Sequence, residues 1–75
     1  MTSHLSKTLG RNVRERRAEL KLSQAALAKK LGKSQQYVSG VESGASNVTL
    51  FTLEALAKAL DTKVTKLLAI RRIVV

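Results

Sequence analysis

The sequence predicts an all-α protein, a compact bundle of five short helices. Three observations carry that prediction. Apolar residues recur at steps of three and four, the period of a helix with one buried face, and no stretch before the C-terminal tail carries a strand signal. Proline is absent, so no helix interior is broken by it. Ser23, Ser34 and Thr49 each stand directly ahead of a periodic segment, where a hydroxyl can take up an orphan amide of a helix start.

Helix one is expected over about residues 7–21, with Leu9, Val13 and Leu20 on one stripe and arginines around it. Ser23 then opens helix two, Gln24 to Leu31, in which Gln24, Leu27, Ala28 and Leu31 share a face. Gly32 follows where a chain leaving a helix often needs positive φ. Ser34 opens helix three, Gln35 to about Ser43, and Gly44 stops it. The loop Ala45-Ser46-Asn47-Val48 leads to Thr49 and helix four, with Leu50, Leu53, Leu56, Ala57 and Leu60 on the buried side. Asp61-Thr62 breaks the pattern, and a short helix five of about 63–69 sets Val64, Leu67 and Leu68 together. The tail IRRIVV (70–75) fits no scheme: a ragged helix end, an extended segment and part of a partner interface all remain open.

The 75 residues suffice for one small domain, 1–75, of a size that buries about 60% of its unfolded surface and is marginal without a staple or partner. Cysteine is absent, which excludes disulfides and thiolate metal sites. No apolar run approaches the roughly 20 residues of a membrane span, and the N-terminus lacks the apolar centre of a secretory signal. A soluble cytoplasmic protein with no membrane partner is expected. With one histidine and five scattered acids, neither a nucleophile–base pair nor a metal cluster can be assembled, so the chain does not read as an enzyme. No cofactor, metal or small-molecule ligand is expected.

Charge is the strongest compositional signal. Fourteen Lys and Arg against five Asp and Glu give a net charge of +9. Residues 7–33 hold Lys7, Arg11, Arg14, Arg16, Arg17, Lys21, Lys29, Lys30 and Lys33 against only Glu15 and Glu19. Such a balance points to a polyanion, either nucleic acid or an anionic membrane surface, and exceeds what solubility requires. Tyr37 and Phe51 are the only aromatics, too few for a platform on which single-strand bases stack. Double-stranded DNA is the better fit.

Residues 23–43 have the size and punctuation of a helix-turn-helix, with Gly32 in the turn and Ala28 small where two helices cross. Rotated by about 100° per residue, helix three sorts into two halves. Tyr37, Val38, Val41 and Glu42 fall on one; Gln35, Gln36, Ser39, Gly40 and Ser43 fall on the other. The second half carries amides and hydroxyls without charge, groups suited to base edges in a major groove. Phosphates would be held by the basic residues, which position without reading sequence.

The stretch LGRNVRERRAELKLSQAALAKKLGKSQQYVSGVESGASNVTLFTLEALAKAL resembles the Xre/Cro/CI family of bacterial and phage repressors over about residues 9–68. The markers are L-G-x-x-V-R-x-x-R, L-S-Q-x-x-L-A and S-x-x-Y-V-S-G-V-E-x-G; within the family, Y-V-S-G-V-E followed by S-N-V-T-L is most similar to controller proteins of restriction–modification systems. The resemblance implies a lambda-repressor-like five-helix domain that regulates transcription. It implies base contacts from Gln35, Gln36 and Ser39, and an ion pair between Arg17 and Glu42 that ties helix one to helix three. Gln24 resembles the glutamine that caps helix two and touches a phosphate. Ser23, Lys33, Ser34, Arg14, Arg17, Ser43 and Asn47 complete the expected phosphate contacts. Three positions depart from the family pattern. Lys33 stands where a turn residue is usually apolar, Gly40 removes a side chain many members use on bases, and Asp61-Thr62 replaces a Gly-apolar pair.

Other residues read more plainly. Tyr37 is expected to pack rather than stack on bases, His4 is not a ligand, and Glu15 and Glu19 are expected to pair with neighbouring arginines. A homodimer is expected through Leu67, Leu68, Ile70, Ile73, Val74 and Val75, an apolar concentration too large to leave wet. The alternative is an antitoxin-type protein that binds a toxin partner and controls its own expression through the same DNA-binding domain. Such a role normally needs surface beyond five helices, and only IRRIVV is spare.

Overall fold

A computed structural model describes residues 4–70, and within them the chain forms helices joined by turns and short loops, with no strand. The elements are α1 (His4–Glu19), α2 (Gln24–Leu31), α3 (Gln35–Glu42), α4 (Leu50–Ala59) and α5 (Val64–Leu67). Helix one starts three residues earlier than its apolar stripe suggests and ends two residues sooner.

That earlier end has a backbone cause. Lys21 takes φ 57°, its amide donates to Ala18 O at 3.0 Å, and the Leu22 amide donates to Arg17 O at 3.0 Å. These are the two bonds of a left-handed helix stop. Gly32 (φ 67°) and Asp61 (φ 50°) end α2 and α4 in the same way, through Lys33 N to Ala28 O at 2.9 Å and Thr62 N to Ala57 O at 2.9 Å. Starts are equally regular. Ser23, Ser34 and Thr49 accept from the amides of Ala26, Tyr37 and Thr52. Lys63 ahead of α5 offers no such oxygen, and α5 is the shortest element, confined to residues 64–67 rather than 63–69.

The core is built from one or more residues of every helix: Leu9 and Val13 of α1, Leu27 and Ala28 of α2, Val38 and Val41 of α3, Leu53, Leu56 and Ala57 of α4, Leu60, and Leu67 of α5. α3 is packed by both α1 and α2, while α4 closes on α2 and α5 closes on α1. Side chains of α1 fasten the C-terminal half. Arg16 donates to the carbonyls of Leu60 (2.8 Å) and Asp61 (2.9 Å), and Asn12 donates to those of Leu67 (2.8 Å) and Ala69 (2.9 Å). Each pair satisfies carbonyls orphaned at a helix end.

Two expectations need correction. Leu50, expected on the buried side of α4, is 80% exposed, because it occupies the first turn beyond the reach of the elements that cover Leu53. Leu67, expected at a dimer interface, is 1% exposed and fills the core instead. Leu68 is half-buried, Ile70 is exposed, and Ile73, Val74 and Val75 lie outside the described residues.

Candidate nucleic-acid interface

The two capping serines aim the helix-turn-helix. Ser23 Oγ accepts from Ala26 N at 3.0 Å and Ser34 Oγ from Tyr37 N at 3.1 Å, which leaves each hydroxyl proton for an outside oxygen. Both serines are exposed, as are Gln35, Gln36 and Ser39. Gln24, Ser34, Gln35, Gln36 and Ser39 line one open cleft at the N-terminal ends of α2 and α3. The three residues expected to read bases are therefore together on one uncharged surface.

Behind that surface is a chain of polar contacts. Arg17 grips Glu42 with two bonds, Nε to Oε2 at 2.6 Å and Nη2 to Oε1 at 3.0 Å, and its Nη1 donates to Leu22 O at 2.8 Å. Gln24 Nε2 donates to Glu42 Oε1 at 3.0 Å, and Gln24 Oε1 faces Gln35 Nε2 at 3.5 Å, the long limit of a hydrogen bond. The Glu42 side chain is only 4% exposed. Burial alone would push its pKa up, but the bonds from Arg17 and Gln24 and the charges of Arg17 and Arg14 outweigh burial and hold it below the ordinary carboxylate value. The bond to Glu42 raises Arg17 in turn, against a smaller opposing effect of burial.

This arrangement redefines Gln24. The N-cap of α2 is Ser23, and the Gln24 amide is committed to Glu42 and directed at Gln35. Ser43 likewise spends its proton on Gly40 O at 3.0 Å. Lys33 sits with Nζ 5.5 Å from the centre of the Tyr37 ring, a cation over an aromatic face at the exposed turn. Asn47 is exposed on the loop after α3. Glu19 pairs with Arg16 at 3.3 Å, as expected of an acid among arginines.

A second open cleft adjoins the first, sharing Gln24 and Ser39, and is walled by Lys7, Arg11, Arg14 and Arg17 of α1. Sequence reasoning registers Lys7 and Arg11 as charge without giving them a place, and it misses Gly10. A Cβ there would lie 2.4 Å from Val41 O and 2.6 Å from Glu42 O, so α1 meets the end of α3 backbone to backbone. The available signal is a glycine set between Leu9 and Val13 on a buried stripe. Gly40 has a comparable reason: a Cβ there would stand 2.7 Å from Ser46 Oγ, and the Gly40 carbonyl accepts from Ala45 N (3.0 Å) and Ser46 N (3.3 Å).

Residues 13–67 match the helix-turn-helix family model. The chain belongs to the helix-turn-helix family. Within that family it is similar to the control protein C.SmaI of Serratia marcescens, 47% identical over 64 residues, which are 85% of this chain and 76% of that protein. It is also similar to the immunity repressor protein of Bacillus phage phi105, 40% identical over 57 residues; these are 76% of this chain but 40% of the repressor. Among solved structures, the restriction-modification controller protein C.AhdI from Aeromonas hydrophila superposes with a TM-score of 0.78 at 40% identity, covering 83% of this chain and 94% of that one. The helix-turn-helix here is thus that of a DNA-binding regulator of the controller and repressor type, a family of transcription regulators rather than enzymes. No helix among its described residues is long and apolar enough to cross a membrane.

Proposed function

We propose that the chain regulates transcription in the cytoplasm as a homodimer, each protomer setting α3 into the major groove of one half of a two-fold operator. The observation that carries this is the single uncharged surface of Ser34, Gln35, Gln36 and Ser39, braced by Gln24 and bordered by cations. A glutamine amide can bond adenine N6 and N7 together, and a serine hydroxyl can donate to or accept from a base edge. Gln35 and Gln36 open α3, so their side chains project from the end of the helix that enters a groove first. Ser23, Ser34, Lys33 and Arg14 take phosphates around this surface; Arg17, Gln24 and Ser43 join them only by sharing groups already bonded within the fold, and Asn47 would add a contact from the loop after α3.

The dimer is supported by apolar surface left in water. Leu50 and Phe51 are 80% and 81% exposed and adjacent at the start of α4, and Leu5 and Ile70 are about half exposed. Leu5, Val48, Leu50 and Leu68 line one shallow cleft beside them. With a two-fold partner, the α3 helices must enter grooves about 34 Å apart or a multiple of it.

Selection from random duplexes returns the operator's sequence, spacing and symmetry together. On the selected duplex, Gln35→Ala should weaken binding by about 1–3 kcal/mol while leaving binding to random duplex nearly unchanged. Equal losses on both would remove Gln35 from the base-reading set.

A further inference from the structure

Lys7, Arg11 and Arg14 follow one another at i, i+4 and i+7 and so form a ridge along one face of α1. All three are exposed. The ion pairs Arg16–Glu19 and Arg17–Glu42 use other residues, so the ridge turns its charge to solvent. Glu42, the acid that lines the same cleft, is already held by Arg17 and Gln24. The ridge is also fixed in place. Gly10 lets α1 meet the carbonyls of Val41 and Glu42, and a Cβ on Gly44 would lie 2.9 Å from Lys7 Cγ and 3.0 Å from Lys7 Cα. Two close approaches therefore seat the N-terminal half of α1 against the C-terminal end of α3.

A structural role explains part of this. A cation near the end of α3 complements the negative pole of the helix, an effect confined to about the last turn. Arg14 acts on Glu42 in that last turn and Lys7 lies against Gly44 just beyond it, yet a pole of about half a charge does not use three cations. The shared cleft gives the ridge a second purpose, because its opposite wall is Ser39 and Ser43, on the polar side of α3.

We infer that Lys7 and Arg11 continue the phosphate contact of Arg14 along the phosphodiester backbone of one DNA strand, at the flank of the groove that α3 enters. DNA carries one phosphate per about 3.4 Å of axis on each strand, so a ridge of about 10 Å meets two or three of them. The inference rests on the DNA-binding reading and extends the footprint to the N-terminal half of α1. Lys7 and Arg11 lie ahead of residues 13–67, where the family match begins and ends.

The test is the salt dependence of binding, measured for the full chain and for Lys7→Gln, Arg11→Gln and the double variant on the selected duplex and on random duplex. Each phosphate that a variant no longer neutralises should shallow the slope of log affinity against log salt by about 0.9, which is about 3.5-fold between 50 and 200 mM. Affinity should fall by the same factor on both duplexes, leaving their ratio intact, and melting temperature should stay within a degree or two because both residues are exposed and glutamine keeps the stem of each side chain. An unchanged slope in the double variant overturns the inference, as does a slope change accompanied by a collapsed specificity ratio. Gln35→Ala in parallel separates the two proposals. If it leaves specificity intact while the ridge variants shallow the slope, the base-reading assignment falls and the ridge stands.

Discussion

Glu42 is a carboxylate inside a strongly basic protein, and its energetics follow from its partners. Arg17 holds it bidentately and Gln24 adds a third bond, so its charge is satisfied where water is excluded. Removing the acid strands the guanidinium. Glu42→Gln should lower unfolding free energy at pH 7 by about 2–3 kcal/mol, the scale of a half-buried ion pair broken from one side. The pH dependence has a definite sign. The folded pKa lies below the ordinary value, so the unfolded chain binds the proton more tightly. The pair's contribution is complete above about pH 5 and drains as pH falls through the ordinary carboxylate value of about 4.3 toward the folded one. Urea unfolding at pH 7 and near pH 3.5 should therefore show the gap between wild type and Glu42→Gln narrowing at the lower pH. A constant gap would mean the pair is not the source. At this scale the sequence is only partly legible. Positions 17 and 42 are 25 apart in the chain, and only the motif, not any local period, sets them together. Asn12 and Arg16 are opaque for the same reason: their partners are backbone carbonyls that no side-chain pattern marks.

Elements are more legible than their ends. Three hydroxyl caps and the three-and-four period place α2, α3 and α4 nearly to the residue, because those signals are local. The stop of α1 is obscured because Lys21 adopts a left-handed conformation with no glycine to announce it. Asp61 does the same after α4, so two of the four left-handed stops, those other than Gly32 and Gly44, bear a Cβ. An L side chain in that region costs about 1–2 kcal/mol, partly offset by the greater unfolded entropy of glycine. Asp61→Gly should accordingly raise stability by about 0.5–1 kcal/mol in urea titration, since the carbonyl that Arg16 holds is unchanged. The buried glycines should diverge. Gly10→Ala drives a methyl into two carbonyls of α3 that cannot retreat without moving the helix, and should destabilise by about 1–3 kcal/mol. Gly40→Ala meets only the rotatable Ser46 hydroxyl while gaining up to about 1 kcal/mol of helix propensity, so it should lie close to neutral. Equal costs at both positions would contradict the backbone-contact reading of Gly10.

For the whole molecule, charge and apolar surface oppose one another. Every protomer carries +9, so two protomers repel, yet Leu50 and Phe51 leave apolar surface exposed at the start of α4. The apolar residues that suggest a dimer from sequence do so by crowding near the C-terminus. Leu67 among them belongs to the core, while Leu50, assigned to the core by period, is exposed. A three-and-four period tells which residues share a face but not where along a helix the neighbouring elements stop covering it. If the exposed pair is the proposed interface, Phe51→Ser should give a monomeric mass in sedimentation at concentrations on the order of tens of micromolar, where wild type is dimeric. Core packing should survive, because Phe51 is 81% exposed already. Salt then separates the proposed self-association from DNA binding. Screening weakens repulsion between like-charged protomers, so the dimer fraction should rise between about 50 and 300 mM salt. DNA affinity should fall over the same range as released counterions lose their advantage. A dimer that dissociates as salt rises would mean that charge pairing rather than the apolar surface holds it, and Phe51 would then not be its anchor.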